Sequence, residues 1–274
     1  MTIAHSRSPK RSSSRAATAG VEIAPAPALD DDLRAALHGH AARLCAAAGY
    51  RGLATVEFLV RDGGAVFLEV NPRIQVEHTV TEEVTGLDLV GAQLALAEGA
   101  PLGDLGLPPA IGCRDGVVTG TPAAAHGTAV QTRVNLEVPQ RDGTVLPAAG
   151  TLLGYTPPTG PGVRVDDYGR PGLTTSARYD SLLAKVIVRA ATPARAYAKA
   201  DAALGEFVID GPGTNLALLR AVLTDPEFRS GPVDTGYLAR RIGDLVPETA
   251  VPAPTPAVEL DGDVHGKPGT PEVA

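Results

Sequence analysis

A chain of 274 residues with 44% hydrophobic side chains and a formal net charge of −7 can fold as one large globular domain or two small ones. The acidic balance excludes a global basic field for nucleic acid, and an aromatic content of 4% argues against stacking platforms for single strands. No apolar run reaches the roughly 20 residues that a bilayer span needs, and Cys45 and Cys113 show neither metal-ligand spacing nor a disulfide framework, so a reducing cytoplasm is expected.

In chain order, residues 1–22 read as a disordered basic tail, Ser-rich and carrying Arg7, Lys10, Arg11 and Arg15, with no acidic residue from Met1 to Gly20. Asp30 is placed to cap a helix ending near Ala48, with Leu33, Leu37, Ala41 and Leu44 on one face. Two strands follow, about Leu53 to Val60 and Ala65 to Val70, around a three-residue loop Asp62-Gly63-Gly64. A loop from Asn71 to Val80 leads to a helix from Asp88 to Glu98. A Gly- and Pro-rich stretch, Gly99 to Pro122, then separates two blocks.

The second block opens on a strand from Gly127 to Val138 with clean alternation. Val130, Thr132, Val134, Leu136 and Val138 share one face, and Gln131, Arg133, Asn135 and Glu137 the other. Short strands near Thr151 to Tyr155, Val163 to Asp167 and Ser181 to Val188 are followed by a helix from Pro193 to Phe207 capped by Thr192. Thr214 is placed to cap a helix through Leu223, and a last helix spans Tyr237 to Leu245. Residues 248–274 are Pro-rich and read as a linker. The pattern predicts a mixed α/β (α+β) chain in two lobes.

The hairpin is the most informative object. With a three-residue loop, paired residue numbers sum to 126, so Glu57 lies opposite Glu69. Like charges facing each other destabilise a ladder unless something positive lies between them. Paired carboxylates are the hard oxygen donors that Mg²⁺ or Mn²⁺ prefers, and Asn71 projects to the same side. The plainer alternative is a solvated hairpin face. Beyond it, Arg73 offers a rigid fork for a small planar oxyanion, Gln75 can donate and accept, and Glu77 is a candidate general base. Were the segment extended, Arg73, Gln75 and Glu77 would share one side.

The run Phe67-Leu68-Glu69-Val70-Asn71-Pro72-Arg73-Ile74-Gln75-Val76-Glu77-His78-Thr79-Val80-Thr81-Glu82 resembles the signature of biotin carboxylases, the carboxylase component of acetyl-CoA, propionyl-CoA and pyruvate carboxylases. Gly49-Tyr50-Arg51-Gly52, Arg133-Val134-Asn135, Gly162-Val163-Arg164, Tyr179-Asp180-Ser181-Leu182 and Ile209-Asp210-Gly211 extend the similarity. The resemblance implies that 23–112 form the C-terminal part of an ATP-grasp domain and 113–247 the biotin carboxylase C-terminal domain. It implies ATP-dependent carboxylation, by bicarbonate, of biotin on a separate carrier domain. In that reading Glu57, Glu69 and Asn71 hold the metal, Arg73, Gln75 and the Val76 backbone position bicarbonate, and Glu77 removes its proton. Arg133 stabilises the enolate-like biotin, Leu59, Leu68 and Ile209 contact the adenine, and Arg164 lies near a homodimer interface.

The family also has a front half with a Gly-rich lid and ATP-binding lysines. The four lysines here, Lys10, Lys185, Lys199 and Lys267, match none of these. The expectation is therefore a fragment, inactive alone and completed by an N-terminal half or a carboxylase partner. A non-catalytic remnant or assembly module is the alternative, and another bicarbonate-activating ATP-grasp ligase is a third reading.

Overall fold

The computed structural model describes residues 20–27, 29–61, 63–105, 112–114, 117–119, 123–231 and 233–248. The expected tail up to residue 19, the linker from 249 and the hairpin residue Asp62 lie outside them. The order is β1 (Val21–Ala24), α1 (Asp31–Ala47), β2 (Thr55–Arg61), β3 (Gly64–Asn71), α2 (His78–Thr85), α3 (Leu89–Glu98), β4 (Gly112–Arg114), β5 (Val117–Thr119), β6 (Thr128–Asn135), β7 (Glu137–Pro139), β8 (Val145–Pro147), β9 (Gly150–Thr151), β10 (Gly154–Thr156), β11 (Val163–Asp167), β12 (Thr174–Thr175), β13 (Leu182–Ala190), α4 (Pro193–Glu206), β14 (Val208–Asp210), α5 (Leu216–Thr224), α6 (Pro226–Ser230) and α7 (Tyr237–Leu245). The fold is mixed α/β, as expected.

The centre is a four-stranded antiparallel sheet in the order β1-β6-β13-β11. Period-two alternation gives it two different faces. One face sends Val130, Val134, Val186 and Val188 against α4 and α5, where Ala196, Ala200, Leu204 and Leu219 complete the main core. The other presents two rows across the strands. Glu22, Gln131, Ile187 and Arg164 align in one, and Arg133, Lys185 and Asp166 in the next. Helix α2 lies on this polar face, with Val80 and Val84 packed on Ala24, Ala129 and Ile187.

A separate small cluster joins the hairpin to α1 through Leu37, Val56 and Phe58, with Leu29, Leu33, Ala41 and Val60 around it. Asp30 caps α1 as expected, its Oδ1 accepting from the Asp32 and Leu33 amides at 2.9 and 3.0 Å. Leu44, expected on the buried face, is 41% exposed, because it overhangs the hairpin edge. There it helps line a concavity of about 480 Å³ with His40, Arg43, Ala47, Phe58, Ala65 and Phe67.

Several expectations need correction. The boundary drawn at 22/23 falls inside β1, whose Val21 and Glu22 pair with Thr132 and Gln131 of the second block. The sheet thus joins β1, which straddles that boundary, to three strands of the second block. The hairpin joins Arg61 to Gly64 directly, so Gly64 is a strand residue and the pairs near the tip sum to 125. A bulge between Glu57 and Phe58 on one strand and Glu69 and Phe67 on the other leaves Leu68 as the extra residue. It restores the sum of 126 at the base. The loop expected from Asn71 to Val80 gives way at His78 to α2, ended by Gly86 in the left-handed conformation at φ 73°. The strand expected over 151–155 is two short ones, and α6 was not foreseen. Gly211 shows why its motif needs glycine: at φ +122°, a Cβ would lie 2.3 Å from the Thr151 carbonyl oxygen.

Candidate active site

Glu57 and Glu69 are direct partners across β2 and β3. The Asn71 Nδ2 group donates to Oε1 of both, at 2.9 and 3.0 Å, and Gln75 Nε2 donates to Glu57 Oε1 at 3.2 Å. An amide N–H thus fills the place between the carboxylates that like-charge repulsion demands be filled by something positive. Both carboxylates converge on one point, and Asn71 also carries an amide oxygen. Two hard carboxylate donors meet there and suit Mg²⁺ or Mn²⁺, whereas Asn71 turns its amide N–H toward them and would have to present its oxygen to join a metal's ligands. The Gln75 Oε1 atom is buried and lacks a hydrogen-bond partner, so it is an unfilled acceptor beside Glu57.

After Asn71 the chain is not extended. Arg73 N bonds Asn71 O at 2.8 Å and His78 N bonds Gln75 O at 3.2 Å, and Glu77 has helical φ −83° and ψ 0° at the entry to α2. Arg73, Gln75 and Glu77 therefore do not form one row. Arg73 is exposed, and its Nη1 donates to the Ile74 carbonyl at 3.1 Å. Gln75 turns to Glu57, and Glu77 is buried at 7% exposure. Burial pushes the Glu77 carboxyl above its ordinary value. The Glu22 and Glu57 charges add to the rise, while its backbone hydrogen bond and Arg133 oppose it. The charges of Glu22, Arg133 and Glu57 thus act on Glu77, which stays a candidate base.

Helix α2 is pinned to the polar sheet face along its length. The Val76 carbonyl accepts from the buried Lys185 Nζ at 3.5 Å, and Lys185 also pairs with Asp166 Oδ2 at 3.2 Å. The Thr79 hydroxyl donates to Gln131 Oε1. Glu82 accepts from Arg164 Nη1 at 2.8 Å, and Arg189 Nη1 reaches the Glu83 carbonyl at 3.1 Å. Arg164 is further held by Asp166 at 2.8 and 3.0 Å. Arg133 meets Glu22 through Nε at 2.6 Å and through Nη2.

Sequence reasoning missed Glu22, Gln131 and Lys185 as parts of the site. Alternation along β6 was a usable signal for Gln131, because it shares the Arg133 face. Glu22 and Lys185 become visible only once the strands are paired.

Leu59 and Leu68 lie on the hairpin, Leu68 at the bulge and 41% exposed. Ile209 pairs with Tyr155 and packs against the main core. Among the described residues no hydrophobic cluster holds all three.

Comparison with known proteins follows these lines. The biotin carboxylase C-terminal domain matches residues 131–240, and the carbamoyl-phosphate synthase L chain ATP-binding domain matches residues 9–105. The two matches together support a biotin carboxylase fragment. It is 44% identical over 207 residues to the biotin-dependent acyl-coenzyme A carboxylase alpha3 subunit of Mycobacterium leprae, covering 75% of this chain and 32% of that protein. Among solved structures, a single-chain, multi-domain long-chain acyl-CoA carboxylase aligns with a TM-score of 0.79 at 55% identity, over 82% of this chain and 23% of that one. The biotin carboxylase domain dimer of the Hydrogenobacter thermophilus 2-oxoglutarate carboxylase, in complex with MgADP, ADP and bicarbonate, aligns with a TM-score of 0.72 at 32% identity. That match covers 82% of this chain and 46% of the other. The chain thus spans less than half the length of these carboxylases. The ATP-binding match starts at residue 9, inside the stretch read above as a tail. No helix among the described residues is long and apolar enough to cross a membrane.

Proposed function

We propose that this chain supplies the metal- and bicarbonate-binding part of an ATP-dependent biotin carboxylase. The observation that carries the reading is the pair Glu57 and Glu69, opposed across the hairpin and bridged by Asn71. A divalent cation held there would neutralise nucleotide phosphate charge, which is the main demand of phosphoryl transfer. Gln75 offers an unfilled acceptor for the bicarbonate O–H, and Arg73 an exposed guanidinium for its oxyanion. Glu77, with its proton affinity raised, serves as the base that takes the bicarbonate proton. Arg133 faces the ureido oxygen of biotin delivered on a carrier domain. Leu59, Leu68 and Ile209 remain candidates for adenine contact only if nucleotide binding draws the hairpin and β14 together.

ATP and a front ATP-grasp segment from the same or another polypeptide complete the site in this reading, and a homodimer through the Arg164 region is part of it. The chemistry is tested by bicarbonate-dependent ATP hydrolysis with Mg²⁺ and free biotin. The assay is run on the chain alone and on the chain mixed with a polypeptide carrying the front of the ATP-grasp domain. Turnover that Glu77→Ala lowers by about 100-fold or more supports the base assignment. A folded mixture with no turnover sinks the enzymatic reading and leaves an assembly module.

A further inference from the structure

We infer that Glu22 is the positioning residue for Arg133, and that it ties the orientation of that guanidinium to the helix carrying Glu77. This rests on the reading that Arg133 faces biotin. Arg133 has five N–H donors in a fixed fork. Its Nε–H and one Nη2 hydrogen are taken by a single oxygen of Glu22, which leaves three to meet a ligand. The second Glu22 oxygen accepts from Gln131 Nε2 at 2.9 Å. The Gln131 oxygen in turn accepts from the Thr79 hydroxyl, two residues after Glu77.

The chain Arg133–Glu22–Gln131–Thr79 therefore crosses from β6 to β1, back to β6 and up into the first turn of α2. It is sheltered throughout. Gln131 and Thr79 are fully buried, and the Glu22 side chain is 13% exposed against 37% for Arg133. A connected network of this kind, buried except at its guanidinium end, fixes rotamers that isolated pairs do not. The guanidinium is the open end and the carboxylate its buried anchor. The strand pairing does not depend on this ion pair. Four backbone pairs, Val21 to Ala24 with Thr132 to Ala129, already join β1 to β6.

The test reads the Arg133 side chain directly. In ¹⁵N-labelled chain, the Arg133 Nε–H signal is assigned by its loss in Arg133→Lys, and its exchange with solvent is timed. Glu22→Ala is expected to speed that exchange by about tenfold or more, with Glu22→Gln intermediate because it keeps an acceptor oxygen. In the assay mixture described above, the ratio of biotin-dependent to bicarbonate-only turnover is expected to fall about tenfold in Glu22→Ala. Unchanged Nε–H exchange in both variants overturns the inference, as does a parallel loss of both turnovers. Should Glu22→Ala not fold, Glu22→Gln carries the same measurements. The exchange experiment needs no catalysis, so failure of the carboxylase reading and failure of the Glu22 reading give different results.

Discussion

Glu77, the proposed base, illustrates at the residue scale how burial and charge raise a carboxyl's proton affinity. Its carboxyl is disfavoured as an anion first by burial, then by the neighbouring Glu22 and Glu57 charges, and its proton affinity is raised. A raised acid contributes native stability that is whole below its unfolded value and lost as pH rises through the native one. Replacement by the neutral isostere Glu77→Gln is therefore expected to raise the melting temperature at pH 8. The gain should shrink on acidification and vanish below about pH 4.5, the ordinary glutamate value. Melting curves across that range check it, and an equal gain at all pH values would contradict it. Most of the candidate residues were legible because two rules are local: alternation placed Arg133, and pairing arithmetic placed Glu57 opposite Glu69. The arithmetic succeeded through compensation, since a loop one residue shorter than expected is offset by the extra residue Leu68. The row of Arg73, Gln75 and Glu77 failed because the chain turns at Val76 and Glu77 into a helix.

Among elements, the missed helix α2 had a signal. Val80 and Val84 stand four apart and Gly86 follows as a left-handed stop. The loop reading of the signature segment concealed it. Helices α6 and α7 offer a sharper test of how short elements are held. Asp225 is 4% exposed and caps α6, its Oδ1 accepting from the Glu227 and Phe228 amides at 2.8 and 3.1 Å. Its Oδ2 binds Arg241 Nη2 of α7 at 2.7 Å. Burial alone would push this carboxyl up, but the Arg241 guanidinium and the two amides hold it below the ordinary 3.8. Its contribution is present above that value and lost as pH falls through the native one. Asp225→Ala removes a cap and leaves a partly buried cation, at a cost of about 3 kcal/mol. Urea unfolding at pH 7 measures the loss, and the difference from the parent chain should narrow below about pH 4.

At the scale of the whole molecule, the hairpin turns an unusual surface outward. Val66 is 65% exposed and Phe67 48%, beside the concavity shared with Leu44. Exposed apolar strands invite association. The chain alone is expected to self-associate at micromolar concentration, and Val66→Lys with Phe67→Lys to shift it toward monomer in analytical ultracentrifugation. A parent chain that is already monomeric would refute this. The two-lobe layout was only half legible. The Gly- and Pro-rich stretch Gly99 to Pro122 separates the blocks in the sequence, but β1 crosses that division to join β6, and pairing between distant strands leaves no local trace.

The site is built on two independent foundations. Glu57 and Glu69 stand on the cluster of Leu37, Val56 and Phe58, whereas Glu77 stands on α2, seated against Ala129 and Ile187. Pro72 to Val76 is the bridge between them. Heat that loosens the smaller hairpin cluster parts the carboxylate pair from the base while the central sheet is still intact. Inactivation and melting then become separate events, and the temperature at which such a site fails is set by its weaker footing rather than by the stability of the fold as a whole.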